Sequence, residues 1–166
     1  MNTPEYVRWN GLAVRRPDDV RKTAGGRIPH SWQMEKRVKH VDRLMNRTLP
    51  ADFPDPVERG GADDVLAVLA LSESIRRDLT ARRGGDIREA ILLGATWAEV
   101  AAAMDTTPDE ARAVLRDWTD RQHSLLRTGA APDEAQPRGV EEDRHAAVLA
   151  LIEMADGRRT ETGSHD

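Results

Sequence analysis

The fold is decided by residues 96–118, TWAEVAAAMDTTPDEARAVLRDW. Thr96 stands before an apolar-periodic segment and Glu99 follows three residues later, which is the pattern of a capping box at the start of a helix. The apolar residues Trp97, Val100, Ala101 and Met104 then recur at helical spacing. Thr107 and Pro108 have the residue types favoured at the cap and first position of a second helix. The stretch therefore predicts two helices joined by a turn of about three residues.

The second helix, predicted over residues 107–125, carries an apolar stripe that a core can bury. Its members are Ala111, Val114, Leu115 and Trp118. We expect Leu115 and Trp118 to share one core with Trp97 and Ile91. The small residues Ala101 and Ala111 lie where two steeply crossing helices need little side-chain bulk.

This pair of helices resembles the helix-turn-helix domains of bacterial DNA-binding regulators, over about residues 86–122. The family pattern has a small residue in the first helix, a glycine at the turn and a hydrophobic residue in the second helix. Ala101 matches the first position, and Ala111 or Val114 the last. Asp105 stands in place of the glycine, and aspartate tolerates left-handed backbone better than most residues. The resemblance implies a DNA-binding transcriptional regulator whose second helix enters the major groove of double-stranded DNA.

The polar residues of the second helix are the candidate DNA contacts. They are Thr107, Glu110, Arg112, Arg116 and Arg121. Arg112 has the chemistry to read guanine, and Glu110 can accept a hydrogen bond from the amino group of cytosine. The alternative interpretation is a solvated helix on which Arg112 and Arg116 pair with nearby acids, namely Asp109, Asp117 or Asp120.

The net charge of −4 conceals an asymmetry along the chain. Residues 1–50 hold 11 Lys and Arg against 5 Asp and Glu, a net charge of +6, whereas residues 51–166 hold 14 against 24, a net charge of −10. A basic arm beside an acidic body is typical of a nucleic-acid contact, or of an arm that docks on its own body or on a partner.

An amphipathic helix is predicted within this basic arm, from Ser31 to about Asn46. Its apolar stripe consists of Met34, Val38, Val41 and Met45, and its basic side of Lys36, Arg37, Lys39, Arg43 and Arg47. We expect the stripe to pack on the body or on a sister subunit. Four basic residues, Lys36, Arg37, Lys39 and Arg43, are then the candidates for phosphate contact.

The chain divides into six predicted segments. A basic arm covers residues 1–50, a proline-rich linker 51–61, and a helical body 62–127, with the helix-turn-helix at 96–121. A second linker covers 128–139, a C-terminal helix 140–155, and a disordered tail 156–166. Within the body we expect a helix from Ala62 to Arg83, a break at Gly84-Gly85, and a shorter helix capped by Asp86.

Composition limits the class of protein. Aromatic residues make up 4% and charged residues 33%, so the core has to be built from small aliphatic side chains. We predict an all-α protein, a small helical bundle containing a helix-turn-helix with a basic N-terminal arm. The apolar runs are too short to cross a membrane, and no signal-peptide pattern precedes the arm, which favours a cytoplasmic protein.

Catalytic and metal-binding patterns are poor. The chain has no cysteine, and its five histidines are scattered without a metal-ligand spacing. We expect no enzymatic activity, no cofactor and no metal ion.

Three functions remain open. The chain is a sequence-specific DNA-binding regulator that acts as a homodimer, a non-catalytic protein-interaction or transcription-accessory protein that uses the same helices as a scaffold, or a nucleoid-type accessory factor. The acids of the second helix favour the protein partner, and the charge of the arm favours DNA.

Overall fold

The computed structural model describes residues 3–20, 28–127 and 142–154, and within these ranges every regular element is helical. The helices are α1 (Pro4–Gly11), α2 (His30–Met45), α3 (Ala62–Leu92), α4 (Trp97–Ala103), α5 (Pro108–Arg127) and α6 (Glu142–Glu153). Short 3₁₀ turns lie at Pro17–Asp19 and Asn46–Thr48. The prediction of an all-α protein is confirmed for the described residues.

The chain divides into two compact units, and the boundary along the sequence falls within α3, between Thr80 and Ala81. The first unit contains α1, α2 and the first part of α3. Its core is built from Trp9, Val14, Val20, Ile28, Ala70 and Leu71. The second unit contains the rest of α3 with α4, α5 and α6, and its core comprises Ile87, Trp97, Val100, Ala111, Leu115, Trp118, Val148 and Ile152.

The first unit differs from the predicted basic arm. The described residues of this arm do not stand apart from α3, because Trp9 and Val14 of the N-terminal segment pack in one core with Ala70 and Leu71 of α3. The predicted linker, residues 51–61, instead connects two helices of the same unit. Its Arg59 donates to the carbonyl oxygens of Asn46, Leu49 and Pro50 at 2.6–3.1 Å, which folds the loop back on the end of α2.

The predicted break at Gly84-Gly85 is wrong, since α3 runs without interruption from Ala62 to Leu92. A Cβ atom on Gly84 would lie 2.2 Å from Cβ of Trp118, so the missing side chain lets α5 approach α3 closely. Gly84 therefore serves helix packing, and this contact could not be read from the local pattern, which marks a helix end equally well.

The second unit confirms the predicted core. Leu115, Trp118 and Trp97 are buried together, and Ile91 packs against them. The predicted C-terminal helix is present as α6, whose Val148 and Ile152 enter the same core. The predicted linker at 128–139 and the predicted tail at 156–166 lie outside the described residues.

Candidate interaction surface on α5

Two reciprocal caps fix α4 and α5. The backbone N–H of Glu99 donates to the Thr96 hydroxyl at 3.1 Å, and the N–H of Thr96 donates to the Glu99 carboxylate at 2.8 Å. The same exchange joins Thr107 and Glu110, at 3.3 Å and 2.9 Å. Both helix starts are thus fixed by side chains within one turn of the chain, and the predicted cap at Thr96 is confirmed.

The turn between the helices depends on Asp105. Its φ angle is +52°, in the left-handed region, as expected for a residue standing in the glycine position of the resemblance. The N–H of Thr106 donates to the carbonyl oxygen of Ala101 at 3.0 Å, which closes the end of α4. The chain can then enter α5 directly at Thr107.

Glu110 is committed to its cap. Its carboxylate accepts hydrogen bonds from the hydroxyl of Thr106 and from the N–H and hydroxyl of Thr107. These three hydrogen bonds, with the Thr106 hydroxyl as the largest contribution, lower the pKa of Glu110 to about 2. The carboxylate that was expected to accept from cytosine therefore has partners in its own helix turn.

Arg112 folds back onto the protein. Its guanidinium carbon lies 5.0 Å from the ring centroid of Trp97, within the range of a cation–π contact. Its Nη1 also donates to Asp109 at 3.1 Å, and only 22% of the side chain is exposed. The arginine with the chemistry to read guanine is held against α4 in this structure.

Arg116 is joined to α6. Its Nη2 lies 3.1 Å from the Glu153 carboxylate, so it ties the two helices together at the surface. Arg121 is exposed one turn further along α5. The alternative interpretation of the sequence correctly paired Arg112 with Asp109, but the partner of Arg116 comes from a distant helix.

The exposed surface of α5 is acidic. Between Pro108 and Leu125 its exposed charged residues are Asp109, Glu110, Asp117 and Asp120 against Arg116 and Arg121. Ala113 lies among them with a small side chain. The face that a recognition helix would turn toward DNA thus carries four acids and two arginines.

Part of the predicted basic side of α2 is turned toward the core of the first unit, whereas Lys39 and Arg47 are exposed. Lys36 is only 5% exposed, so the expectation that it lies on an open surface is wrong. Its Nζ donates to the carbonyl oxygens of Trp9 and Asn10 at 2.6 Å and 3.0 Å, and lies 4.7 Å from the ring centroid of Trp9. Burial, with smaller effects from Lys39 and Arg43, lowers the pKa of Lys36 to about 8.

The other candidate residues of α2 also have partners within the first unit. Arg37 donates to the hydroxyl of Ser72 at 2.8 Å, and Lys39 lies 2.7 Å from the Glu35 carboxylate. Arg43 forms a 2.7 Å ion pair with Asp64, which lies only partly exposed at the start of α3. These contacts explain why a helix with a polar inner side packs stably, because each inward charge meets an acceptor.

Comparison of the chain with protein-family models, with curated proteins and with solved structures returns no match. No group of three or more metal-ligating side chains is assembled in the described part of the chain. Across the same residues, none of the helices is both long enough and apolar enough to traverse a bilayer.

A histidine pair was missed by the sequence analysis. The rings of His123 on α5 and His145 on α6 lie 4.5 Å apart, and Nε2 of His145 is 3.0 Å from the Asp120 carboxylate. The two histidines are separated by a long stretch of sequence and have no local spacing signal. Only the docking of α6 on α5 brings them together.

Proposed function

We propose that this chain is a non-catalytic protein-interaction module that binds a protein partner through the exposed face of α5. The supporting observation is that Arg112 is held by Trp97 and Asp109 and Arg116 by Glu153, while the exposed charged residues of α5 are four acids against two arginines. A partner with Lys or Arg side chains on a helix or strand is complementary to this face. The small Ala113 permits close approach of the partner backbone.

Electrostatics favours a protein over DNA at this surface. Binding to duplex DNA gains most of its sequence-independent affinity from Lys and Arg that displace counterions from phosphates. The first turn of α5 offers Asp109 and Glu110 instead, and both carboxylates would approach the phosphate backbone. Two backbone N–H groups of this turn, those of Thr107 and Glu110, already donate to the Glu110 carboxylate and the Thr107 hydroxyl, and the Glu110 carboxylate lies favourably at the positive end of the helix dipole.

The first test measures binding to DNA directly. A fluorescently labelled duplex of mixed sequence is titrated with the full chain at low and at physiological salt. We expect no saturable binding at physiological salt. Saturable binding that weakens with salt, and that is lost in an Arg112→Ala/Arg116→Ala variant, would overturn the proposal.

The second test measures the protein partner. The chain is used as bait in a nuclease-treated cell extract with chemical crosslinking, and wild type is compared with Asp117→Arg and with Asp55→Arg. Both acids are exposed, but only Asp117 lies on α5. We expect a crosslinked species that Asp117→Arg loses and Asp55→Arg retains. Equal capture by all three baits argues against the α5 face.

DNA-binding regulation is the second candidate. Two observations favour it: Arg121 is exposed on α5, and the first 50 residues carry a net charge of +6. In this case the arginines of α5 would have to leave Glu153 and Trp97 to reach bases. The DNA titration distinguishes the two candidates, since only this one predicts a salt-dependent complex.

A further inference from the structure

The apolar stripe of α2 is exposed. Met34, Val38 and Met45 are 44%, 46% and 64% exposed, and Val41 lies between them half-buried. The sequence pattern predicts that such a stripe is packed, yet α2 buries its polar side, with Gln33 and Lys36 inward. An exposed stripe of this length marks a surface that another molecule covers.

Helix α3 extends this stripe into a two-helix face. The hydrogen bond from Arg37 to Ser72 holds the two helices side by side. Met34 and Val41 lie one turn from Arg37 along α2. On α3, helical spacing places Val65, Leu69 and Leu79 in the row of Ser72, and they are 42%, 62% and 52% exposed.

The opposite side of α2 is already occupied by α1. Lys36 projects to the carbonyl oxygens of Trp9 and Asn10, and its neighbour Arg37 projects to α3. The two-helix face therefore lies away from α1. We call it the α2–α3 face, defined by Met34, Val38, Val41, Met45, Val65, Leu69 and Leu79.

The projected area of this face, about 480 Å², is somewhat more than half of what a specific interface buries on each partner. Helix α2 has 16 residues and is about 24 Å long, and packed helices lie about 8–10 Å apart. The face is thus about 24 Å by 20 Å in projection, with ridged side chains that add accessible surface. A specific interface buries about 800 Å² on each partner.

We propose that the α2–α3 face is a homodimer interface in which the α2 helices of two copies pair in parallel about a two-fold axis. The spacing of four, three and four residues places Val38 and Met45 at the a positions of a heptad, and Met34 and Val41 at the d positions. Each a residue then contacts the same a residue of the partner subunit across the two-fold axis, and each d residue likewise contacts the same d residue. This inference concerns α2 and α3 and is independent of the proposed role of α5.

Charge complementarity sets the parallel orientation. Arg37 immediately precedes Val38 and takes the g position, and Asp42 immediately follows Val41 and takes the e position. In a parallel pair, each g residue approaches the e residue five positions further along the other helix. Arg37 keeps its Nε on Ser72 and directs its terminal Nη groups to Asp42 of the partner subunit. The two-fold axis repeats this ion pair. An antiparallel pair instead places the helix edge that carries Arg37 against the same edge of the partner helix, and the edge that carries Asp42 against its equivalent. Like charges then face each other, which is unfavourable.

The oligomeric state tests the interface. Light scattering after size exclusion is expected to give twice the chain mass of 18.5 kDa for the full-length wild type. Val38→Glu places a charge in the stripe and is expected to give a monomer with unchanged helical circular dichroism. Val7→Glu is the matched control, since Val7 is 58% exposed on α1, and it is expected to stay dimeric. A monomeric wild type, or equal masses for all three proteins, overturns the proposal.

Disulfide crosslinking tests the orientation. The chain has no cysteine, so in a Val38→Cys variant any disulfide between two subunits has to join the two copies of residue 38. Parallel pairing brings the two substituted positions within disulfide reach across the axis, and mild oxidation is expected to give a covalent dimer. Ala102→Cys, exposed on α4, controls for random collision. Crosslinking that appears only in a mixture of Val38→Cys and Val41→Cys indicates an antiparallel pair and overturns the proposal.

Discussion

Lys36 is an example of a charged side chain that links one helix to the end of another. Its ammonium group donates hydrogen bonds to two carbonyl oxygens in the last turn of α1, where the helix dipole places partial negative charge. The aliphatic part of the side chain and the ring of Trp9 shield these hydrogen bonds. The residue therefore contributes to the first unit through packing and through charge-assisted hydrogen bonds.

Replacing Lys36 by alanine is expected to lower the free energy of unfolding by about 2–3 kcal/mol, because two hydrogen bonds from a charged donor are lost. Arg47→Ala is the control: Arg47 is exposed, and a surface change of this kind stays within about 0.5 kcal/mol. Urea denaturation followed by circular dichroism measures both. Equal stability of the two variants would show that the buried ammonium contributes nothing.

The carboxylate of Asp64 makes the free energy of unfolding depend on pH in the acid range. Its carboxylate accepts from the N–H of Gly61 at 2.9 Å, from His40 at 2.8 Å and from Arg43 at 2.7 Å. These partners, the Gly61 N–H foremost, lower the pKa of Asp64 from 3.8 to about 2. Because folding lowers this pKa, the stabilisation is complete above the unfolded value of 3.8 and is lost as the pH falls toward 2.

Asp64→Asn is therefore expected to destabilise the protein by about 2 kcal/mol at neutral pH. The difference from wild type should narrow in buffers of decreasing pH, because wild type loses the same contribution. Asp63→Asn is the neighbouring control, since the side chain of Asp63 is 75% exposed and its ion pair with Arg15 lies at the surface. A difference between Asp64→Asn and wild type that stays constant down to acid pH would contradict the assignment.

At the scale of the element, α3 continues through two glycines that disfavour a helix. Each glycine costs about 1 kcal/mol relative to alanine in a helix interior. The cost at Gly84 is offset by the close packing of Trp118, a large side chain that is 6% exposed. The two neighbouring glycines differ in this respect, because a Cβ on Gly85 would meet Trp118 only at 3.5 Å.

Alanine at these two positions is expected to act in opposite directions. Gly84→Ala should destabilise by about 1–3 kcal/mol, because its Cβ overlaps Trp118 and forces the helices apart. Gly85→Ala should stabilise by up to about 1 kcal/mol, because it gains helix propensity with an ordinary contact. Thermal unfolding of the two variants measures the contrast. Stabilisation by both substitutions would mean that α3 and α5 are not in close contact at Gly84.

On the scale of the whole molecule, the described residues contain two separate hydrophobic cores. Leu71 is fully buried in the first and Leu115 in the second. Each core includes buried tryptophan, Trp9 in one and Trp97 with Trp118 in the other. Local opening of one unit is therefore expected to leave the hydrogen bonds of the other core protected.

Leu71→Ala and Leu115→Ala should each cost about 2–5 kcal/mol through the cavity they leave. We expect Leu71→Ala to speed amide hydrogen exchange in α1 and α2, and Leu115→Ala in α4, α5 and α6. Hydrogen–deuterium exchange with mass spectrometry resolves these segments. Loss of protection throughout the chain in either variant would indicate one cooperative unit instead of two.

The sequence by itself determined α4, α5 and the turn between them. The capping pairs Thr96–Glu99 and Thr107–Glu110, like the left-handed Asp105, depend on contacts within a few residues. Such interactions are present in any fold that contains the segment, so a local pattern predicts them. The periodicity of α5 likewise predicted which of its residues enter the core.

Only the tertiary structure decided which side of α2 is buried and where the basic side chains lie. Lys36 is buried because α1, more than 20 residues away, supplies carbonyl oxygens, and Arg43 turns inward because α3 supplies Asp64. Arg116 similarly depends on Glu153. A charge can be buried when partners replace its hydration, and those partners come from distant segments that local periodicity cannot register. For the same reason the candidate residues could be named from the sequence, but their availability to a partner could not.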